Sequence, residues 1–81
     1  MNTSRHRIRV EVQKRDGAIE RLMNTVYRKG IRYTAFEAHQ NDSVWIVEIE
    51  AVLLTNRADQ VLTAIEREPS VLRAAILPSR T

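Results

Sequence analysis

Apolar and polar residues alternate strictly near the start of the chain. Between Arg7 and Gln13 every second residue is apolar, and the shared face carries Ile8, Val10 and Val12. A period of two is typical of a strand with one buried face. The same pattern returns from Val44 to Leu54, where one face carries Trp45, Val47, Ile49 and Ala51. The two segments predict two strands, and these four residues are expected in the core.

The segment between Ala18 and Lys29 has a helical period instead. Its apolar residues follow the spacing i, i+3, i+4, i+7 and i+8, and they are Ile19, Leu22, Met23, Val26 and Tyr27. This spacing gives one apolar stripe. The only two glycines, Gly17 and Gly30, bracket the helix, and Asp16 is placed to cap its first turn. A C′ glycine at Gly30 ends it.

The remaining segments complete a regular order of elements. Residues 31–39 favour a strand, 40–43 a turn, and 71–77 a last strand. A second helix is predicted to begin at Thr55 or Asn56 as its cap and to end before Pro69. Its apolar stripe consists of Ala58, Val61, Leu62 and Ile65.

The resulting order, β-α-β-β-α-β, predicts a ferredoxin-like α+β fold. In that fold a four-stranded antiparallel sheet carries both helices on one face, with the first and third strands at its centre. On the open face, Arg7 and Arg9 are predicted to form ion pairs with Glu48 and Glu50. Apolar residues left partly bare on the same face indicate a partner, and they are Val44, Ile46 and Val52. We expect one domain over residues 6–78, a flexible N-terminus over 1–5 and a tail over 79–81.

Composition narrows the function classes. With 81 residues the chain is long enough for one small domain, for which oligomerisation is a common supplement. It contains no cysteine, which excludes disulfides, thiolate metal ligands and a thiol nucleophile, and which fits a cytoplasmic location. No apolar run is long enough for a membrane span. The net charge of +3 comes from mixed rather than clustered charges, so neither nucleic acid nor membrane is an expected partner.

Catalysis finds little support. His6 and His39 stand near a terminus and a turn without partners at metal-ligand spacing, and no serine has a recognisable base beside it. Glu48 and Glu50 share a face, but arginines balance them. The sequence therefore predicts no enzyme, metal or cofactor. Free amides at the helix start after Gly17 leave two alternatives open: an anion site, or simply a strand-to-helix turn.

Two stretches resemble the ACT domain, the amino-acid-sensing module of biosynthetic enzymes. The first runs from Asp16 to Leu22, and the second from Arg28 to Tyr33. The register of the resemblance covers His6 to Leu77. Ile19-Glu20-Arg21 and the exit Arg28-Lys29-Gly30 look most like the short form of the acetolactate synthase small subunit, which is little more than one ACT domain.

The resemblance implies a regulatory subunit that forms a homodimer and activates a thiamine-diphosphate-dependent catalytic large subunit. A stand-alone amino-acid sensor acting on another partner is the alternative. The resemblance also implies a small amino-acid effector, held by residues at both ends of the first helix: Asp16, Gly17, Ala18, Ile19, Gly30, Ile31 and Arg32. Asp16 stands where the family usually has proline, and Arg32 where asparagine is common. We expect these two residues to form an ion pair that closes the site.

Overall fold

The computed structural model describes residues 3–77, which form four strands and two α-helices. In chain order these are β1 (Thr3–Gln13), α1 (Ala18–Arg28), β2 (Arg32–Asn41), β3 (Val44–Leu54), α2 (Ala58–Glu66) and β4 (Val71–Leu77). A single 3-10 turn, Thr55–Arg57, precedes α2. The strands form one sheet in the order β2-β3-β1-β4, with every neighbouring pair antiparallel. The predicted ferredoxin-like α+β fold is confirmed, including the central pair β1 and β3.

The core lies between the sheet and the two helices. The helix-facing residues of β1 and β3 are buried, as the alternation predicts: Ile8, Val10, Val12, Val47, Ile49, Ala51 and Leu53. Helix α1 contributes Ala18, Leu22 and Val26, and α2 contributes Val61 and Ile65. Trp45 is different, because it is only half-buried and lies at the rim of the core.

Both glycines have the backbone conformation predicted for them. Gly17 stands at the N-cap of α1 with φ of 77°, and Gly30 has φ of 70°. At the C-terminal end, the amide of Gly30 bonds to the carbonyl of Tyr27, and the amide of Ile31 to that of Val26. These two bonds form the Schellman motif, in which the left-handed residue is normally glycine.

Three local predictions are wrong. Asp16 does not cap α1, because Gly17 occupies the N-cap and makes no side-chain cap hydrogen bond. The N-cap of α2 is Arg57 rather than Thr55 or Asn56, because the 3-10 turn runs directly into the helix. Strand β1 also begins at Thr3 rather than Arg7. The expected flexible segment 1–5 is thus strand from Thr3 onward, because Thr3 pairs with Leu54 at the far end of β3. Residues 1–2 and 78–81 lie outside the described part.

The register on the open face is as predicted, but the ion pairs are not. Arg7 lies directly opposite Glu50, and Arg9 opposite Glu48. The ion pairs formed within residues 3–77 join other partners, namely Arg21 with Glu68, His39 with Glu37, and Arg73 with Glu11. Facing positions on neighbouring strands permit an ion pair but do not require one, because exposed pairs gain little free energy. The apolar residues Val44, Ile46 and Val52 remain half-buried on this face.

Candidate functional site

The turn between β1 and α1 forms one wall of a shallow cavity of about 340 Å³. Three of the predicted effector residues line it, namely Asp16, Gly17 and Ile19, together with Lys14, Arg15, Glu20 and Trp45. Ala18, the fourth predicted residue of this turn, is buried beneath it in the core. Asp16, Gly17 and Ile19 thus share one surface, whereas Ala18 does not reach it.

Backbone amides at the start of α1 face this turn without helical acceptors. The amide of Ala18 bonds to the carbonyl of Arg15, and that of Arg21 to the carbonyl of Gly17. The intervening amides of Ile19 and Glu20 precede the first full turn, where a helix has no internal acceptors. Because no side chain caps them, they are available to a carboxylate or another anion.

Lys14 and Trp45 belong to the same cavity, although the sequence analysis did not assign them to the site. The ammonium nitrogen of Lys14 lies 5.6 Å from the centroid of the Trp45 ring, and it donates a hydrogen bond to Gln40 Oε1 at 3.1 Å. This is a cation–π distance. The sequence did contain a signal for Trp45. It is the first helix-facing residue of β3, and it pairs with Val12, close to the turn that follows β1.

The other predicted effector residues lie at the opposite end of α1. Gly30 ends the helix, Ile31 is buried in the core, and Arg32 begins β2 with an exposed side chain. An eleven-residue helix is about 16 Å long. Asp16 and Arg32 therefore cannot meet within one chain, and the predicted ion pair between them is wrong. Asp16 is exposed, and its backbone carbonyl accepts a hydrogen bond from Arg21 Nη1 at 3.3 Å.

The two histidines make only local contacts. His6 Nδ1 lies 3.2 Å from the carbonyl oxygen of Ser4, and His39 Nε2 lies 3.2 Å from Glu37 Oε2. The His39–Glu37 pair is mostly exposed to solvent. Across residues 3–77, no group of three histidine, aspartate or glutamate side chains is arranged to hold a metal ion.

A larger cavity of about 460 Å³ lies between the two helices and is lined by Thr25, Arg28, Lys29, Ala64, Arg67 and Glu68. Glu68 already accepts a hydrogen bond from Thr25 and contacts Arg21. The carboxylate of Glu68 therefore already has partners in α1, and we interpret this cavity as part of the packing between the helices and not as a binding site. None of the helices within the described part of the chain is long and apolar enough to cross a membrane.

Sequence comparison gives no match, either to a protein-family model or to a curated protein. Structural comparison does. The ACT domain from GTP pyrophosphokinase of Chlorobium tepidum superposes with a TM-score of 0.83 at 9% identity, covering 94% of this chain and 100% of that domain. The solution structure of the same domain gives 0.86 at 10% identity, covering 99% and 92%.

Two other neighbours show how widely the fold is used. The ligand-free regulatory subunit of aspartate kinase from Thermus thermophilus gives a TM-score of 0.73 at 13% identity, over 96% of this chain and 56% of that one. The C-terminal domain of the MgtC protein from Mycobacterium tuberculosis gives 0.71 at 9% identity, over 93% and 86%. At these identities the likeness concerns the fold. The chain has the ferredoxin-like fold of ACT domains.

Proposed function

We propose that this chain is a non-catalytic regulatory subunit, a single ACT domain that dimerises and activates a catalytic enzyme subunit. The ACT-type fold extends over nearly the whole chain and supports this proposal. The sequence resemblance to the short acetolactate synthase small subunit proposes the partner, the thiamine-diphosphate-dependent large subunit, and with it a cytoplasmic location. Activation would come from stabilising the active conformation of that subunit, not from contributing catalytic groups.

The proposed dimer forms along β2. This strand is an edge of the sheet, so one side of its backbone has no neighbouring strand. On its helix-facing side, Tyr33 is 50% exposed and Phe36 38% exposed, and Tyr27 of α1 is 81% exposed. A second copy pairing antiparallel along β2 would extend the sheet and cover these aromatic side chains.

Such a dimer would also bring together the two parts of the predicted effector site, the Asp16–Ile19 turn and the Gly30–Arg32 segment. Along the sheet, the end of β1 that leads into Asp16 lies beside the start of β3 and the end of β2. The start of β2, which carries Arg32, lies at the other end. An antiparallel second copy reverses β2, so its own Gly30–Arg32 segment would lie at the same end of the joined sheet as the Asp16–Ile19 turn of the first copy. The observation that carries the proposal is that the two halves of the predicted site lie at opposite ends of a sheet whose β2 edge has no neighbouring strand within residues 3–77.

The chemistry of the joined site suits a zwitterionic amino acid. The free amides of Ile19 and Glu20, with the guanidinium of the second copy's Arg32, would receive its carboxylate. The exposed carboxylate of Asp16 would receive its ammonium group. The apolar surfaces of Ile19 and Trp45 would contact its side chain.

Activation is tested by mixing the purified chain with the large subunit of acetolactate synthase. We expect the two to co-elute and the synthase rate to rise. Unchanged activity without co-elution would rule out this partner. A Tyr33→Lys variant, which places a charge on the proposed dimer edge, should lose association along β2 and the part of the stimulation that depends on it.

The second candidate function is a stand-alone amino-acid sensor for another partner. The open turn cavity and its free amides favour this reading equally. A thermal-shift scan over the amino acids separates the two. A rise in Tm with one amino acid indicates sensing, whereas a flat response to all of them indicates a subunit whose role is assembly alone.

A further inference from the structure

The open face of the sheet carries two rows of opposite charge on its central strands. Arg7 and Arg9 project from β1, and Glu48 and Glu50 project from β3 at the facing positions. These four residues flank the midpoint of the two strands, where Ile8 lies opposite Ile49. None of the ion pairs formed within residues 3–77 includes any of the four.

The arginine at the centre of this face has an unmet hydrogen-bonding requirement. The Nε atom of Arg7 is buried and has no hydrogen-bond partner. Arg7, Glu48 and Glu50 line a cavity of about 320 Å³, to which Glu37 of β2 adds a third carboxylate. A buried donor without an acceptor is costly, and the half-buried side chains of Glu48 and Glu50 take part in none of the ion pairs formed within residues 3–77. The face is therefore incomplete within one chain.

We propose that this face packs against the same face of a second copy. A two-fold axis parallel to the strands, midway between β1 and β3, lays β1 of each copy over β3 of the other. Residues that are paired within one chain lie at the same position along the strand direction. In this arrangement Arg7 therefore contacts Glu50 of the second copy, and Arg9 contacts Glu48 of the second copy. A two-fold axis across the strands would instead place arginine over arginine. The charge rows select the first arrangement.

The geometry of sheet packing agrees with this arrangement. Aligned sheets pack about 10 Å apart and cross at about 30°, so residues near the crossing point stay closest to their partners. The four charges lie immediately beside that point. Farther out, the same symmetry places the half-buried residues Val44, Ile46 and Val52 over Gln13, Glu11 and Arg5 of the second copy, so the ion pairs near the crossing point, and not apolar contacts, carry the specificity. This surface is separate from the β2 edge, so the inference does not rest on the proposed function.

The experiment uses the full chain carrying Tyr33→Lys, so that association along β2 does not contribute. Sedimentation velocity should show this parent as a dimer that dissociates as salt is raised. Arg7→Glu and Glu50→Arg should each weaken association by at least about tenfold. An equimolar mixture of these two variants should restore it, because each arginine then faces a glutamate in the other chain.

The mixture decides whether the weakened association comes from repulsion between chains, because mixing two variants does not remove repulsion between like charges within one chain. Arg57→Glu, an exposed position away from the face, serves as the charge-reversal control and should leave association unchanged. If either reversal variant fails to fold by circular dichroism, Glu50→Gln replaces it and should still weaken the dimer. A mixture no tighter than its separate components overturns the proposal. So does a monomeric parent at the highest soluble concentration, which would assign the face to a different partner.

Discussion

Arg21 and Glu68 join α1 to the segment that follows α2. Arg21 Nε of α1 lies 3.4 Å from Glu68 Oε1, in the connection between α2 and β4, and the Glu68 side chain is only 12% exposed. The other carboxylate oxygen accepts a hydrogen bond from Thr25, and Arg21 Nη2 donates to Ser70 Oγ at 3.2 Å. Ser70 is itself buried. One carboxylate thus holds α1 against the segment that leads into β4.

Replacing Glu68 with alanine should lower the free energy of unfolding by about 1–2 kcal/mol. The loss comes from the contacts of this carboxylate with Thr25 and Arg21, and it is modest because Thr25 Oγ1 can still donate to the carbonyl of Arg21 and because the ion pair of the half-exposed Arg21 is screened by water. Urea denaturation measures the change. Glu66→Ala is the matched control, since Glu66 is exposed and takes part in none of the ion pairs within residues 3–77. Equal losses in the two variants would contradict this role for Glu68.

The two glycines should respond differently to alanine. Each has a positive φ, and an L-residue there costs about 1–2 kcal/mol. A Cβ at Gly30 meets nothing within 4 Å, but one at Gly17 lies 3.1 Å from Arg21 Nη1. Gly17→Ala should therefore be the more destabilising variant in thermal unfolding. In an Arg21→Ala background the two costs should become equal, and a difference that persists there would show that Arg21 is not its cause.

The same conservative substitution should cost different amounts of stability on the two faces of β3. Ile49 is fully buried, so Ile49→Val should cost about 0.5–1.5 kcal/mol through the lost methyl group and the space it leaves. Ile46 is half-buried on the open face, and Ile46→Val should cost less in the isolated chain. Guanidinium denaturation of both variants tests this. If Ile46→Val costs as much as Ile49→Val, the open face is covered in solution.

Arg32 should matter for effector binding and not for stability. It is exposed at the start of β2, and no ion pair or side-chain hydrogen bond within the described residues includes it. If calorimetry finds an amino acid that binds the wild-type chain, Arg32→Ala should weaken binding by about tenfold or more, because a charge-assisted contact to the carboxylate is lost. Arg57→Ala is the control of equal charge. Unchanged affinity in Arg32→Ala would exclude this residue from the site.

The local hydrophobic pattern was sufficient to predict most of the helices and strands. It was not sufficient where the structure depends on contacts between segments that are distant in the chain. The period-two alternation in β1 and the helical period in α1 correspond to buried faces that each segment presents by itself, so they could be predicted. The extension of β1 to Thr3 could not, because those polar residues are strand only through pairing with the far end of β3. The contact of Arg21 in α1 with Glu68, which follows α2, joins residues far apart in the chain, and no local pattern in either segment predicts it.

The candidate site divides in the same way. The sequence by itself determined that Gly17 and Gly30 are the corners of α1, because their positive φ is a property of the local chain. It also determined that the arginines Arg7 and Arg9 of β1 share the open face with Glu48 and Glu50 of β3. The helix predicted between these corners also determined that Asp16 and Arg32 lie about 16 Å apart, because the length of a helix follows from its number of residues. Only the tertiary structure decided that the facing arginines and glutamates of the open face form no ion pairs within residues 3–77, because side-chain conformation, and not strand register, sets whether their charged atoms meet.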